Sequence, residues 1–194
     1  AGLRSFNKSM PEEINRILCD HVSTLLFSPT KAGYTNLIKE GFKTDKSNHP
    51  VADAPNIYHC GDVMFDNSVY FAQVAEKKTT LLQTLNLQPN GFVLATIHRN
   101  NNTDEPERLS GIFESFNRLS LQHSLPFIIP LHPRTSKLLE KNLVPGLYAK
   151  VMGNTLLKII PPVSFLEMIA LEKNSRLIVT DSGGVQKEAF FFEK

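Results

Sequence analysis

The pattern of apolar and polar positions divides this 194-residue chain into two regions of different character. In the first, Ser9-Met10-Pro11-Glu12 reads as a helix start, with Ser9 as N-cap, Pro11 in the first turn and Glu12 completing a capping box. Ile14, Ile17, Leu18, Val22 and Leu25 then recur at helical spacing, which predicts one buried face. Leu26-Phe27-Ser28 reads as a short strand and residues 31–40 as a helix closed by Gly41. Residues 43–55 read as polar loop, and Ile57-Tyr58-His59-Cys60 as a second short strand ending at Gly61-Asp62. Residues 69–85 form one long helical pattern with no partner strand near it, suited to carrying the chain from one domain into the next.

Beyond that helix, strands and helices alternate. Apolar runs at 92–97, 127–131, 157–160 and 177–179 read as strands, separated by helical patterns at 106–121, 135–142 and 164–172. In the first of those helices Leu109, Ile112, Phe113, Phe116 and Leu119 form one apolar stripe. This order predicts an α/β fold with a parallel sheet, and such sheets bind ligands beyond the carboxyl ends of their strands. His98-Arg99, His132 and Ser182 all fall at that edge.

The stretch Thr180-Asp181-Ser182-Gly183-Gly184-Val185-Gln186-Lys187-Glu188 narrows the chemistry. It joins a strand to a helical pattern running to Phe192. The first N–H groups of such a helix lack internal partners and sit at the positive end of its dipole, which suits an anion. Glycine lets a phosphate approach the backbone, Ser182 adds a hydroxyl, and Glu188, one turn beyond Gly184, can accept from sugar hydroxyls. The combination points to a nucleotide-sugar diphosphate. Read alone, Ser-Gly-Gly is equally a turn with a capping serine. A trypsin-like nucleophile is set aside, because that arrangement belongs to all-β enzymes.

Composition adds limits. The chain is 41% hydrophobic and 21% charged with net charge +2, which gives no basic stripe for nucleic acid. No apolar run approaches the ~20 residues needed to cross a membrane, and Phe190-Phe191-Phe192 reads as a helix packing on a sheet. Cys19 and Cys60 have no metal-ligand spacing, which fits a reduced cytoplasmic protein. The start lacks an initiator Met and a signal sequence, and the end falls inside a predicted helix, so both ends are expected to be cuts in a longer chain.

At the strand ends, His98 and Arg99 can donate to a departing diphosphate, and His132-Pro133-Arg134 offers a second set of anion contacts. Each has a plain alternative: His98 fastening a loop, and Pro133 stiffening one. Glu12 and Glu13 open a helix, where the dipole alone favours acidic residues; a carboxylate held there and partly desolvated can also act as general acid or base.

Five motifs carry a resemblance. Ala1-Gly2-Leu3-Arg4-Ser5, Met10-Pro11-Glu12-Glu13-Ile14-Asn15-Arg16, Gly61-Asp62-Val63, Thr96-Ile97-His98-Arg99 and residues 180–188 occur in this order in the non-hydrolysing UDP-N-acetylglucosamine 2-epimerases. The chain resembles that family over essentially its whole length. Asn102-Thr103-Asp104 and Leu131-His132-Pro133-Arg134-Thr135 are similar to the branch acting on UDP-2,3-diacetamido-glucuronic acid. The resemblance implies a glycosyltransferase-B-like α/β fold of two Rossmann-like domains with parallel sheets, truncated here at both ends. Residues 1–67 would be the C-terminal part of the first domain and 68–194 most of the second, UDP-binding one.

It further implies elimination of UDP across C1 and C2 and re-addition, with no metal or cofactor. Glu12 and His98 would be catalytic, Ser182, Gly183 and Gly184 would bind phosphate, and Glu188 the ribose. Arg99 and His132 would contact substrate or a regulatory UDP-sugar, and the whole protein would be a homodimer. The chain departs from the family's pattern: it begins after a usual catalytic Glu, lacks an Asp further upstream, the first nucleotide-binding loop and a closing Arg near the C-terminus, carries Asn101 where Glu is common, and has His132-Pro133-Arg134 in place of His-x-Asn-Pro. The 194 residues by themselves are therefore expected to be inactive. A retaining glycosyltransferase of the same architecture, a UDP-sugar-binding module without catalysis and a hydrolysing epimerase stand as alternatives.

Overall fold

Parallel strands need helical crossovers, because the chain must return to the start of one strand before the next can pair beside it. Among the described residues of this computed structural model, 1–144 and 146–194, every pair of strands is parallel. The chain divides into two compact units, residues 1–66 and 67–194.

Unit 1 holds helix α1 (Pro11–Val22), strand β1 (Leu25–Ser28), helix α2 (Lys31–Lys39) and strand β2 (Asn56–His59). β1 pairs with β2 from Leu25 opposite Asn56 to Ser28 opposite His59. Leu26, Leu37 and Ile57 form a small core with Tyr34 and Phe42 against it. Thr30 opens α2 by accepting from the Gly33 N–H at 3.0 Å, and residues 43–55 are loop as expected, with one bridge between Val51 and Ala54.

Helix α1 overturns two expectations. Its flanking residue is Met10, with no side-chain cap; Ser9 Oγ instead donates to Asn7 Oδ1 at 2.7 Å, and no capping box with Glu12 forms. Nor does the apolar stripe turn inward. Leu18 is 57% and Val22 71% exposed, while the buried residues of the helix are Glu13 and Asp20. The reason is electrostatic: that side holds down residues 2–6. Glu13 accepts from the Ser5 and Phe6 N–H groups, each at 2.9 Å. Asp20 accepts from the Gly2 N–H at 2.9 Å and from Arg4 Nη1 at 2.8 Å. Arg4, its side chain 1% exposed, also forks onto both oxygens of Glu40 at 2.7 Å.

The division between units falls within α3 (Val63–Lys78). The predicted single helix over 69–85 is two: α3 starts earlier and stops at Lys78, and α4 (Leu81–Thr84) follows. Thr79 and Thr80 stand between them, and β-branched side chains are poor helix formers. Unit 2 then runs β3 (Val93–Thr96), α5 (Asn100–Thr103), α6 (Pro106–His123), β4 (Phe127–Pro130), α7 (Pro133–Asn142), α8 (Leu147–Gly153), β5 (Leu157–Ile160), α9 (Phe165–Asn174), β6 (Leu177–Thr180) and α10 (Gly183–Phe191). The short helices α5 and α8 have no counterpart in the sequence reading.

The second sheet has the order β5-β4-β3-β6. β3 and β4 are buried throughout, as expected of inner parallel strands covered on both faces. Successive side chains alternate between two cores. Val93, Ala95 and Ile97 pack with Leu109, Phe113 and Phe116 of α6 on one face; Phe92 and Leu94 pack with Leu171 of α9 and the leucines around α4 on the other. Leu119, placed in the α6 stripe, lies outside that core at 36% exposure. Phe190 is also exposed, whereas Phe192 packs against the α3–α9 cluster. β6 ends the sheet as its edge strand, with Leu177 and Val179 partly open to solvent.

Candidate functional site

The strand order sets the site. Loops leaving neighbouring strands on the same side lie beside one another, so the segments after β4, β3 and β6 bring His132, His98-Arg99 and Ser182 to one edge.

Asp181 joins two of these segments. Its carboxylate accepts from the backbone N–H of His98 at 2.9 Å, from that of Arg99 at 3.0 Å and from Asn102 Nδ2 at 2.9 Å. Arg99 Nε returns a bond to the Asp181 carbonyl at 2.9 Å. Burial alone would raise the Asp181 carboxyl, but the Asn102 amide and the two backbone donors outweigh it and hold the group below its ordinary value. Beneath it the side chains of Thr96 and Thr180 meet at 2.6 Å across paired register positions, and the Ser182 N–H donates to Thr180 Oγ1 at 3.0 Å. The sequence reading gave Asp181 no role. The available signal was an acidic residue at a strand end, one position before a turn.

Ser182 flanks α10 without a side-chain capping bond, so its hydroxyl is not spent on the helix. Gly183 and Gly184 are exposed at the first turn. Neither has a positive φ. A Cβ on Gly183 would meet nothing within 4 Å, and one on Gly184 only Ser182 Oγ at 3.8 Å. Neither backbone conformation nor neighbouring atoms of the chain require glycine here. What remains as a reason is access for something outside the chain, and uncommitted amides at a helix start suit an anion.

On the other side of β3 a cavity of about 310 Å³ is lined by His98, His132, Arg134, Pro162, Val163 and Met168 among others. His132 is held by its position before α7, with Nδ1 accepting from the Arg134 N–H at 3.3 Å. Arg134 forks onto both oxygens of Asp104 at 2.9 and 3.0 Å. An open, part-apolar recess with cationic and imidazole groups at its rim can take a flat ring and a negatively charged tail.

Glu188 faces inward from α10 and is partly buried; burial pushes its carboxyl up, while Glu172 of α9 pulls the other way. Glu12 belongs to unit 1, where it is exposed on the first turn of α1. Its neighbour Glu13 is the carboxylate the fold uses, held below its ordinary value by the Ser5 backbone N–H above all. No group of three His, Cys, Asp or Glu side chains that could hold a metal occurs among the described residues. No helix among them is long and apolar enough to cross a membrane.

Known proteins are similar to this chain. The chain is 47% identical over 194 residues to the UDP-2,3-diacetamido-2,3-dideoxy-D-glucuronate 2-epimerase of Pseudomonas aeruginosa, covering all of this chain and 48% of that protein. It is 41% identical over 191 residues to a UDP-N-acetylglucosamine 2-epimerase of Methanococcus maripaludis, covering 97% of this chain and 49% of that one. Among solved structures, the Methanocaldococcus jannaschii UDP-GlcNAc 2-epimerase superposes with a TM-score of 0.79 at 38% identity, covering all of this chain and 51% of its own. A second structure of that enzyme, in complex with UDP-GlcNAc and UDP, gives 0.75 at 39%, again over the whole chain and 50% of the enzyme. The chain thus spans about half the length of these relatives. Its parallel α/β architecture is that of the glycosyltransferase-B-like epimerases, as the sequence led us to expect. The family model for UDP-N-acetylglucosamine 2-epimerase matches residues 1–194, and the chain belongs to that family.

Proposed function

We propose that a protein built on this chain epimerises C2 of a UDP-linked N-acetylated sugar by anti elimination of UDP and re-addition. The observation that carries this reading is the pair of loops tied by Asp181: one presents His98 and Arg99, the other the open Ser182-Gly183-Gly184 turn. In the forward step a base takes the C2 proton, its electron pair forms the C1–C2 double bond and the C1–O bond to UDP breaks, leaving the 2-acetamidoglucal with its acetamido group still on C2. Negative charge grows on the diphosphate as it leaves. The α10 amides, Ser182 and Arg99 stabilise that charge, and His98 donates to it. A proton then returns to C2 from the opposite face, and a UDP oxygen re-forms the bond to C1. Glu188 accepts from the ribose diol. Glu12 serves as a catalytic carboxylate, and with Arg99, His132 contacts substrate or a second, regulatory UDP-sugar.

On this reading residues 1–67 belong to the first Rossmann-like domain and 68–194 form most of the second. The catalytic set is completed outside these residues, and the whole protein is a homodimer. The 47% identity to the P. aeruginosa enzyme favours a diacetamido-uronic substrate over plain N-acetylglucosamine. The test is the full-length protein in D₂O with each UDP-sugar, followed at C2 by proton NMR. Deuterium at C2 together with the 2-epimer supports the proposal. Acceptor-dependent transfer, or saturable UDP binding with no exchange, would replace it with the transferase or the binding module.

A further inference from the structure

Glu172 lies at the end of α9 and is 1% exposed. Neither carboxyl oxygen receives a hydrogen bond from an N–H or hydroxyl among the described residues, and its neighbour is another carboxyl group, Glu188 of α10. Two ionised carboxylates so placed would repel, and the inner one would be desolvated with nothing to compensate it. A carboxylic acid, by contrast, can donate its O–H to a carboxylate beside it.

Resting on the reading of Glu188 as the ribose-binding group, we infer that Glu172 is a positioning residue for Glu188: its buried carboxyl keeps a proton and donates it, which orients Glu188 and leaves its remaining lone pairs for the ligand's hydroxyls. The electrostatics agree in direction. Burial first, then the charge of Glu188 and the hydrogen bond between them, push Glu172 up to about 8. Other charges around α9 are engaged elsewhere or lie outside. Lys173 pairs with Glu76 of α3 at 2.5 Å, and Glu167 caps its own helix with Ser164. Lys187 of α10 and Arg176 are exposed. Lys77 and Lys78 end α3, while α4, β3 and β6 carry no titratable side chain.

Above the pair's upper titration, Glu172 becomes an uncompensated anion and Glu188 loses its donor. If UDP binds only the singly protonated pair, its apparent Kd rises by the factor 1 + 10^(pH − pKa), about tenfold between pH 7 and pH 9 for the value above. The experiment is calorimetric titration of the full-length protein with UDP and with 2′,3′-dideoxy-UDP, from pH 6.5 to 9, in wild type, Glu172→Gln and Glu188→Ala. Glutamine has the same shape and donates without a titrating proton. We expect the tenfold loss of UDP affinity in wild type and its absence in Glu172→Gln, which should match wild type within about twofold at pH 7. Ionisation of the uracil ring affects both proteins equally and cancels in that comparison. An equal pH step in wild type and Glu172→Gln, or no step in wild type, overturns the inference. If Glu188→Ala prefers UDP over the dideoxy nucleotide as strongly as wild type does, the ribose reading of Glu188 itself falls.

Discussion

Replacing Asp181 with asparagine keeps the size of the side chain and removes its charge and one acceptor oxygen. The native carboxylate gathers three donors from the segment after β3: the N–H groups of His98 and Arg99 and the amide of Asn102. Asparagine has one oxygen to offer and turns an NH₂ group toward the remaining donors. Hydrogen bonds to a charged group contribute about 1.5–3 kcal/mol each. The site is partly open to water, so the lower end applies, and the local loss should be about 2 kcal/mol, or ~30-fold in the opening equilibrium. Native-state hydrogen exchange on the full-length protein reads this directly. Amides of residues 98–103 should lose roughly 30-fold of their protection while those of β4 keep theirs. Turnover should fall about 10²-fold if His98 drifts by an ångström. The carboxyl's folded value is lowered, so the tie is complete above the unfolded carboxylate range near ~3.9 and is lost only as pH falls through the lower folded value. Protection in wild type, corrected for intrinsic rates, should therefore be flat from pH 5 to 9. Unchanged exchange in Asp181→Asn would refute the claim that this carboxylate sets the loop.

Gly183→Ala should leave stability unchanged or raise it by about 0.5–1 kcal/mol, since the added methyl meets nothing within 4 Å and φ is negative. Calorimetry should show weaker UDP binding in the same variant, and undiminished affinity would mean no phosphate approaches there. His98→Ala should lower kcat by on the order of 10²–10³ while UDP affinity stays within a few-fold, measured by steady-state kinetics beside equilibrium titration. Arg4→Leu should destabilise the protein by about 3–5 kcal/mol in urea unfolding, because Asp20 and Glu40 would lose their shared partner at a side chain only 1% exposed.

Strands and long helices of unit 2 were legible because each is set by local periodicity. An apolar run of four to six residues flanked by turns, or a stripe such as Leu109, Phe113 and Phe116, has few other ways to be buried. The reading failed where tertiary contacts override the period. On α1 the hydrophobic stripe pointed to the wrong face, because Glu13 and Asp20 are needed to pair amides and a guanidinium arriving from residues 2–6. At the site, the strand-end residues and the glycine turn could be read from their chemistry. Asp181 and Glu172 could not, since their importance lies in partners about 80 residues away in one case and on the next helix in the other. The relation of Glu12 to the strand-end residues stays a matter of family resemblance.

Strand β6 gives the sheet an unfinished side. Its inner neighbour is β3, while its outer backbone donors and acceptors and the half-open Leu177 and Val179 form a ready template for another extended segment. A solution of the 194-residue chain alone would thus tend toward edge-to-edge association as its concentration rises, through a strand that ends one residue before Asp181.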